Sequence, residues 1–249
     1  MTRGLRRVAE FLPAYCVALL NVPRLFLAGP LDFAGREMIR RIAWHFGWPS
    51  GPRADRLPQA PPPDVCCGSI LDPLGSDESI SCAELLIIFH LARPRQPQVV
   101  FEFGTAEGRS ALNLAANLPG AMIYTIDREK KTRDRFTSHP AFSAVVPILE
   151  DSSRFDHRPF FHRADIVLVD GAHDERSVRK DSLTALEIAR PDGLVLWHDY
   201  ARHRGVTAAL HRLRREDSRF LRLARIAGTS LATLDLRLQD PAAEGVGNA

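Results

Sequence analysis

The sequence predicts an α/β fold: a Rossmann-like, seven-stranded, mostly parallel sheet with an antiparallel edge, preceded by a helical N-terminal segment. Three observations carry this reading. Short apolar runs alternate with helical periodicities along residues 81–215, a glycine loop follows the first run, and the last two runs are joined around Gly228-Thr229-Ser230. Strands that are apolar throughout and separated by helices belong to a parallel sheet covered on both faces. A short connection, by contrast, requires antiparallel pairing.

Residues 1–65 are expected to form a helical segment and linker, 66–240 the main domain and 241–249 a frayed tail. Arg3, Arg6 and Arg7 precede an apolar stretch from Phe11 to Leu20, the outline of a signal peptide. Glu10 and Pro13 interrupt the approach to it, no A-x-A pattern follows, and Asn21, Pro23 and Arg24 end it well short of the ~20 residues that span a bilayer. A packing helix or a helix in contact with a membrane surface is expected there, in a cytoplasmic protein. Pro49 to Pro63, rich in Pro, Gly and Arg, reads as a linker.

Leu85, Leu86, Ile88 and Phe89 give Ser81 to Leu91 a helical period, which Pro94 and Pro97 stop ahead of the strand Val99 to Phe103. Next come a helix at Arg109 to Asn117, a strand at Ala121 to Ile126, a helix after Asp127 and a strand at Ala144 to Leu149. A strand at Asp165 to Val169, a helix at Asp174 to Ala189, a strand at Gly193 to Trp197 and a helix at Val206 to Arg215 continue the alternation. Leu221 to Leu238 holds the two closing runs.

At 249 residues, 45% hydrophobic and 25% charged, the chain can bury a core without disulfides. Its net charge of +3 is carried almost wholly by Arg, with no basic run interleaved with aromatics, so small molecules are favoured over nucleic acid. Cys16, Cys66, Cys67 and Cys82 form no C-x-x-C pair, which suits a reducing compartment. G-x-S-x-G, H-E-x-x-H and P-loop patterns are missing, so hydrolase, zincin and nucleoside-triphosphatase readings lack an anchor.

In an open α/β sheet, ligands bind beyond the carboxyl ends of the strands where strand order reverses. The first strand runs into Glu102-Phe103-Gly104-Thr105-Ala106-Glu107-Gly108, whose glycines let backbone approach a ligand. Twenty-three residues after Gly104, Asp127 ends the second strand, where a carboxylate can accept both hydroxyl hydrogens of a ribose. A dinucleotide loop would place a glycine where Ala106 stands, and Glu102 and Glu107 would repel a pyrophosphate. Those carboxylates suit a cationic amino-acid sulfonium. Gly104 and Gly108 can also be plain turn glycines.

The segments E-F-G-T-A-E-G-R-S, Y-T-I-D, D-I-V-L-V-D-G-A-H and L-V-L-W-H-D-Y, in that order, resemble the class I S-adenosylmethionine (SAM)-dependent methyltransferases. The likeness is strongest to the metal-dependent small-molecule O-methyltransferase branch that includes macrolide-sugar and catechol-type enzymes, and it covers about residues 81–238. It implies that Glu102, Gly104, Thr105 and Gly108 border the methionine part of SAM, that Asp127 holds the ribose, and that Asp151 and Ser152 lie beside the adenine. Asp-Ser is equally ordinary turn chemistry.

Asp170 and His198-Asp199 follow two strands that the fold makes neighbours, so their ends lie ~5 Å apart and can converge on one cation. A divalent ion, Mg2+ or Mn2+, would polarise an acceptor hydroxyl. In the resembling macrolide-sugar enzymes the histidine of D-x-x-H is the base, a role that falls to His173, while strand-end acids hold magnesium. His198 stands where those enzymes more often have an acid; either it lies behind the ligands or the ion is softer, such as manganese or iron. Tyr200 and His203 are candidates for the acceptor pocket. Each of these residues also has a structural reading: Asp170 as a turn former, His173 or Asp174 as a helix cap, His198 as a satisfied buried histidine.

The expected partners are a small hydroxylated acceptor and a second copy of the chain, without nucleic acid. The competing readings are a metal-free methyltransferase, a non-catalytic SAM-binding accessory protein and an NAD-linked oxidoreductase.

Overall fold

The computed structural model describes residues 57–63, 68–72, 80–129 and 134–239. Residues 1–56 of the expected helical N-terminal segment, Cys16, Cys66, Cys67 and the tail expected over 241–249 lie outside them. Among the described residues no helix is long and apolar enough to cross a membrane.

Eight strands form one sheet: β1 (Gln59–Ala60), β2 (Val99–Phe103), β3 (Met122–Asp127), β4 (Val145–Leu149), β5 (Ala164–Val169), β6 (Ala189–Trp197), β7 (Ala224–Ile226) and β8 (Ala232–Asp235). Their spatial order is β1-β7-β8-β6-β5-β2-β3-β4. Pairing is parallel from β4 through to β6, while β8 runs antiparallel to both β6 and β7. The antiparallel edge expected from the short Gly228 turn is therefore present. Strand order reverses at β2: the chain proceeds outward to β3 and β4, then returns to place β5 on the other side of β2.

The eighth strand corrects the expected seven. Gln59–Ala60 lies in the stretch read as a linker, yet it pairs in parallel with β7. Pro58 O accepts from Arg225 N at 2.7 Å and Ala60 O accepts from Ala227 N at 3.0 Å. The flanking prolines cannot donate to a ladder, which confines such a strand to the sheet edge and keeps it short. Composition showed the prolines and concealed the pairing. A second correction concerns β6, which starts at Ala189 rather than Gly193 because Ala189 pairs with Ala164 before a register shift.

Helices α1 (Cys82–Ala92), α2 (Arg109–Asn117), α3 (Asp134–Thr137), α4 (Glu175–Ile188) and α5 (Arg204–Glu216) cover the sheet. Alternate residues of the central strands enter opposite cores, as a period of two requires. Phe101, Phe103, Val167, Val169, Val195 and Trp197 pack with α4 and α5 residues, whereas Val100, Ile123, Ile166, Leu168, Leu194 and Leu196 pack with α1 and α2 residues. Trp197 is fully buried and donates Nε1–H to Ser182 Oγ at 2.8 Å. The expected helix after Asp127 is only the one turn of α3 among the described residues.

Residues 68–72 lie along α2, held by two asparagines one turn apart. Asn113 exchanges hydrogen bonds with Leu71 N (2.8 Å) and O (2.9 Å), and Asn117 with Ser69 N (2.9 Å) and O (2.7 Å). Their amides satisfy the backbone of a segment that has no strand partner there.

Candidate active site

The carboxyl ends of β2, β3 and β5 open on a cleft of about 1020 Å³. The structure brings Gly104, Thr105, Asp127, Asp151, Ser152, Asp170 and His173 to its walls, together with Ser110, Lys180 and Asp181. Glu102, Gly108, His198 and Asp199 lie behind that lining.

At the β2 end, Gly104 has φ +98°, and a Cβ there would lie 2.2 Å from the Asp170 carbonyl oxygen. A side chain is thus excluded by both backbone conformation and the turn after β5. The loop then doubles back: Ala106, at φ +43°, donates its N–H to Asp127 Oδ2 at 2.9 Å. Asp127 Oδ1 accepts from Glu129 N at 3.0 Å. Each carboxylate oxygen keeps a further acceptor position, so Asp127 can still take ribose hydroxyls. Gly108, at φ +84°, begins α2 without a side-chain cap.

Thr105 turns its hydroxyl inward. Thr125 Oγ1 donates to Glu102 Oε2 at 2.6 Å, which leaves Thr105 to donate to Thr125 Oγ1 at 2.8 Å. Glu102 is fully buried, and burial pushes its carboxyl up to about 7, against the opposing pull of Ser110 and Thr125. The first strand's acid is thus a buried hydrogen-bonded group, and Thr105 reaches the cleft without offering its hydroxyl.

Beyond β4, Asp151 Oδ1 accepts Ser153 N at 2.7 Å in a tight local turn. Ser152 donates to Asp181 Oδ1 at 2.9 Å, and burial raises the Asp181 carboxyl to about 6. His157 packs against Phe101, Phe103 and Phe155, and its Nε2 meets Ser152 O at 2.8 Å. This buried aromatic group fixes the Asp151-Ser152 turn against the sheet.

At the ends of β5 and β6, His173 Nε2 lies 2.9 Å from Asp199 Oδ2. That hydrogen bond raises the His173 pKa above the ordinary histidine value, outweighing partial burial. The carbonyl of His173 sits where a side chain at position 205 would lie, so Gly205 allows α5 to start directly against it. Asp199 is held at φ +62°, a left-handed conformation that aspartate tolerates better than most residues. Burial raises the Asp199 carboxyl, but His173, His198, His203 and Arg202 together hold it below its usual range.

His198 is 1% exposed. Its Nδ1 lies 3.0 Å from Asp170 Oδ1 and 3.5 Å from Asp199 Oδ1, and its Nε2 faces Glu84 Oε2 at 3.5 Å. Burial disfavours charge on this ring, but Asp170, Glu84 and Asp199 prevail and hold its pKa well above the ordinary value. Glu84 is the residue that sequence reasoning missed. It forms the capping box of α1 with Ser81, while its Oε1 accepts both Ser230 N and Oγ at 2.7 Å. The S-x-x-E signal was visible at Ser81; the contact across 146 residues to Ser230 was not.

The expected metal donors Asp170, His198 and Asp199 do converge, with one ligand atom from each within 4.8 Å of the others. They do not present a vacant shell to an ion, because His198 Nδ1 is engaged with Asp170 and its ring is enclosed by carboxylates. A second set, His173, Asp199 and His203, is equally close. There the imidazoles are stacked, with centroids 4.0 Å apart and planes 10° from parallel. An ion between them would sit about 2 Å out of each ring plane, away from the in-plane nitrogen lone pairs that bind metals. Neither set fits a divalent ion as arranged.

Residues 101–200 match the model of a family described as a methyltransferase domain. Among solved structures, the fold is similar to cofactor-bound Rv0187 from MTB, at 15% identity and TM-score 0.50, covering 86% of this chain and 95% of that one. The O-methyltransferase TomG from Streptomyces achromogenes, in complex with SAM, aligns at 20% identity and TM-score 0.49 over 64% of this chain and 82% of its own. An O-methyltransferase from Bacillus cereus in complex with SAH aligns at 14% identity and TM-score 0.48, over 64% and 84%.

Proposed function

We propose that this chain is a class I methyltransferase that transfers a methyl group from SAM to a hydroxyl of a small molecule, with His173 as the base. One observation carries the reading: a single cleft holds the glycine loop and Asp127 at one side and the Asp199-bound His173 at the other.

The residues present fit SAM. Acidic groups outnumber basic ones along the cleft, which favours a cationic sulfonium over a pyrophosphate. Asp127 would take the ribose hydroxyls, and the Asp151-Ser152 turn would border the adenine. Gly104 keeps the loop flat against Asp170, so that backbone rather than side chain meets the methionine part. When bound, SAM supplies an electrophilic methyl on sulfur and leaves as S-adenosylhomocysteine once the acceptor oxygen has formed the new C–O bond.

The acceptor proton goes to His173. With Nε2–H directed at Asp199, the lone pair is on Nδ1, and the aspartate fixes both tautomer and ring orientation. Lys180, Arg176 and Asp174 line the same cleft and offer an acceptor polar contacts. An NAD-linked oxidoreductase is disfavoured by the acidic lining.

The test is a matched pair of measurements. Calorimetry should show saturable binding of SAM and none of NAD. His173→Gln should keep SAM affinity while methyl transfer falls by about 10²–10⁴-fold, the usual contribution of a positioned base. Full activity in that variant would remove His173 from the role.

A further inference from the structure

We propose that His198 itself fills the place of a divalent cation at the ends of β5 and β6, so that this protein binds no metal there. The proposal rests on the methyltransferase reading above for its meaning, but its evidence is the geometry of one side chain.

Three carboxylates surround the His198 ring. Asp170 and Asp199 face Nδ1 at 3.0 and 3.5 Å, and Glu84 faces Nε2 at 3.5 Å, an ion-pair distance without hydrogen-bond geometry. A neutral imidazole has one N–H and one lone pair. Whichever tautomer it adopted, one ring nitrogen would point a lone pair at a carboxylate. Only the doubly protonated ring turns no lone pair toward an acid: it hydrogen-bonds Asp170 through Nδ1–H and faces Glu84 as a positive charge.

Burial sharpens the point. Side chains of His198, Glu84 and Asp199 are exposed by 0%, 3% and 3%, so water does not reach Glu84 or Asp199, while Asp170, at 16%, borders the cleft. Like charges gathered in a dry site need a cation among them. A metal ion would have to displace the proton from Nδ1, break the contact with Asp170 and enter an enclosed space. The ring does the same electrostatic work with a fixed geometry: it holds Asp170 beneath the Gly104 turn and leaves Asp199 Oδ2 for His173. His198 is thus a positioning residue for the His173–Asp199 pair.

The experiment uses the full chain and Mn2+ as the probe, followed by the electron paramagnetic resonance of free Mn2+ with S-adenosylhomocysteine present. The wild type should leave the free signal undiminished, apart from weak non-saturable loss. His198→Asp, which replaces the imidazolium by a fourth acid, should remove about one equivalent of Mn2+ from solution. In the wild type, 15N spectra of the His198 ring should show both nitrogens protonated at neutral pH.

Saturable one-site Mn2+ binding by the wild type, or a neutral His198 ring, overturns the proposal. If His198→Asp does not fold, as circular dichroism would show, the two wild-type measurements decide alone. SAM calorimetry separates this from the functional reading: a protein that binds both SAM and Mn2+ overturns only the role of His198. One that binds neither overturns the function while His198 keeps its charge.

Discussion

On the proposed reading, the 2.9 Å contact between His173 Nε2 and Asp199 Oδ2 sets the pH at which the base works. Because the hydrogen bond to Asp199 raises the His173 pKa, the ring stays protonated to higher pH than a free histidine, and only its neutral form can accept a proton. The transfer rate should therefore rise with pH through that elevated value, and Asp199→Asn should move the rising limb to lower pH while depressing the plateau. A pH–rate profile of the two proteins checks this; an unmoved limb would separate Asp199 from the base. At Glu102 the sign is opposite for stability. Its folded carboxyl titrates at about 7 against 4.5 for the ordinary group, so the folded state holds the extra proton between those values and stability falls as pH rises through them. Glu102→Gln should leave melting temperature nearly unchanged at pH 5 and raise it at pH 8, by up to about 3 kcal/mol of stability from that difference. Equal melting shifts at both pH values would contradict this.

Between β2 and α2, the loop conformation depends on a missing side chain. Gly104→Ala combines positive φ with a Cβ placed 2.2 Å from Asp170 O, and should destabilise the fold by about 2 kcal/mol or more and abolish SAM binding. Thermal melts and calorimetry on one preparation measure both. Along α2, Asn117→Ala removes the acceptor and donor that hold Ser69, and hydrogen exchange at residues 69–71 should quicken by about tenfold, equivalent to one net hydrogen bond. Sequence periodicity foresaw α2 to the residue, since Arg109–Asn117 carries its own pattern. It did not foresee what the asparagines hold, because an amide at one helix position is silent about a segment 42 or 48 residues away.

The whole sheet shows the same division between local and distant information. Alternation of apolar runs and helices foretold the parallel core, and the Gly228 turn foretold the antiparallel edge, because both follow from neighbours in sequence. β1 was hidden: two residues among prolines pair with a strand more than 160 positions later. The site divides likewise. Gly104, Asp127, Asp170 and His173 were legible because each ends a strand or follows one, and strand order carries those ends to one cleft. The meaning of His198 was not legible, since Glu84 reaches it from a helix that begins 17 positions ahead of β2. Nothing in the local pattern around β6 announces that third carboxylate beside the His198 ring.

Calorimetric titration of the full chain with SAM, alongside NAD, decides which cofactor the cleft takes. Saturable binding of SAM, lost in Asp127→Ala and absent for NAD, is the outcome this account predicts. Binding of NAD, or of neither, would contradict it and leave the loop at Gly104 as a structural turn.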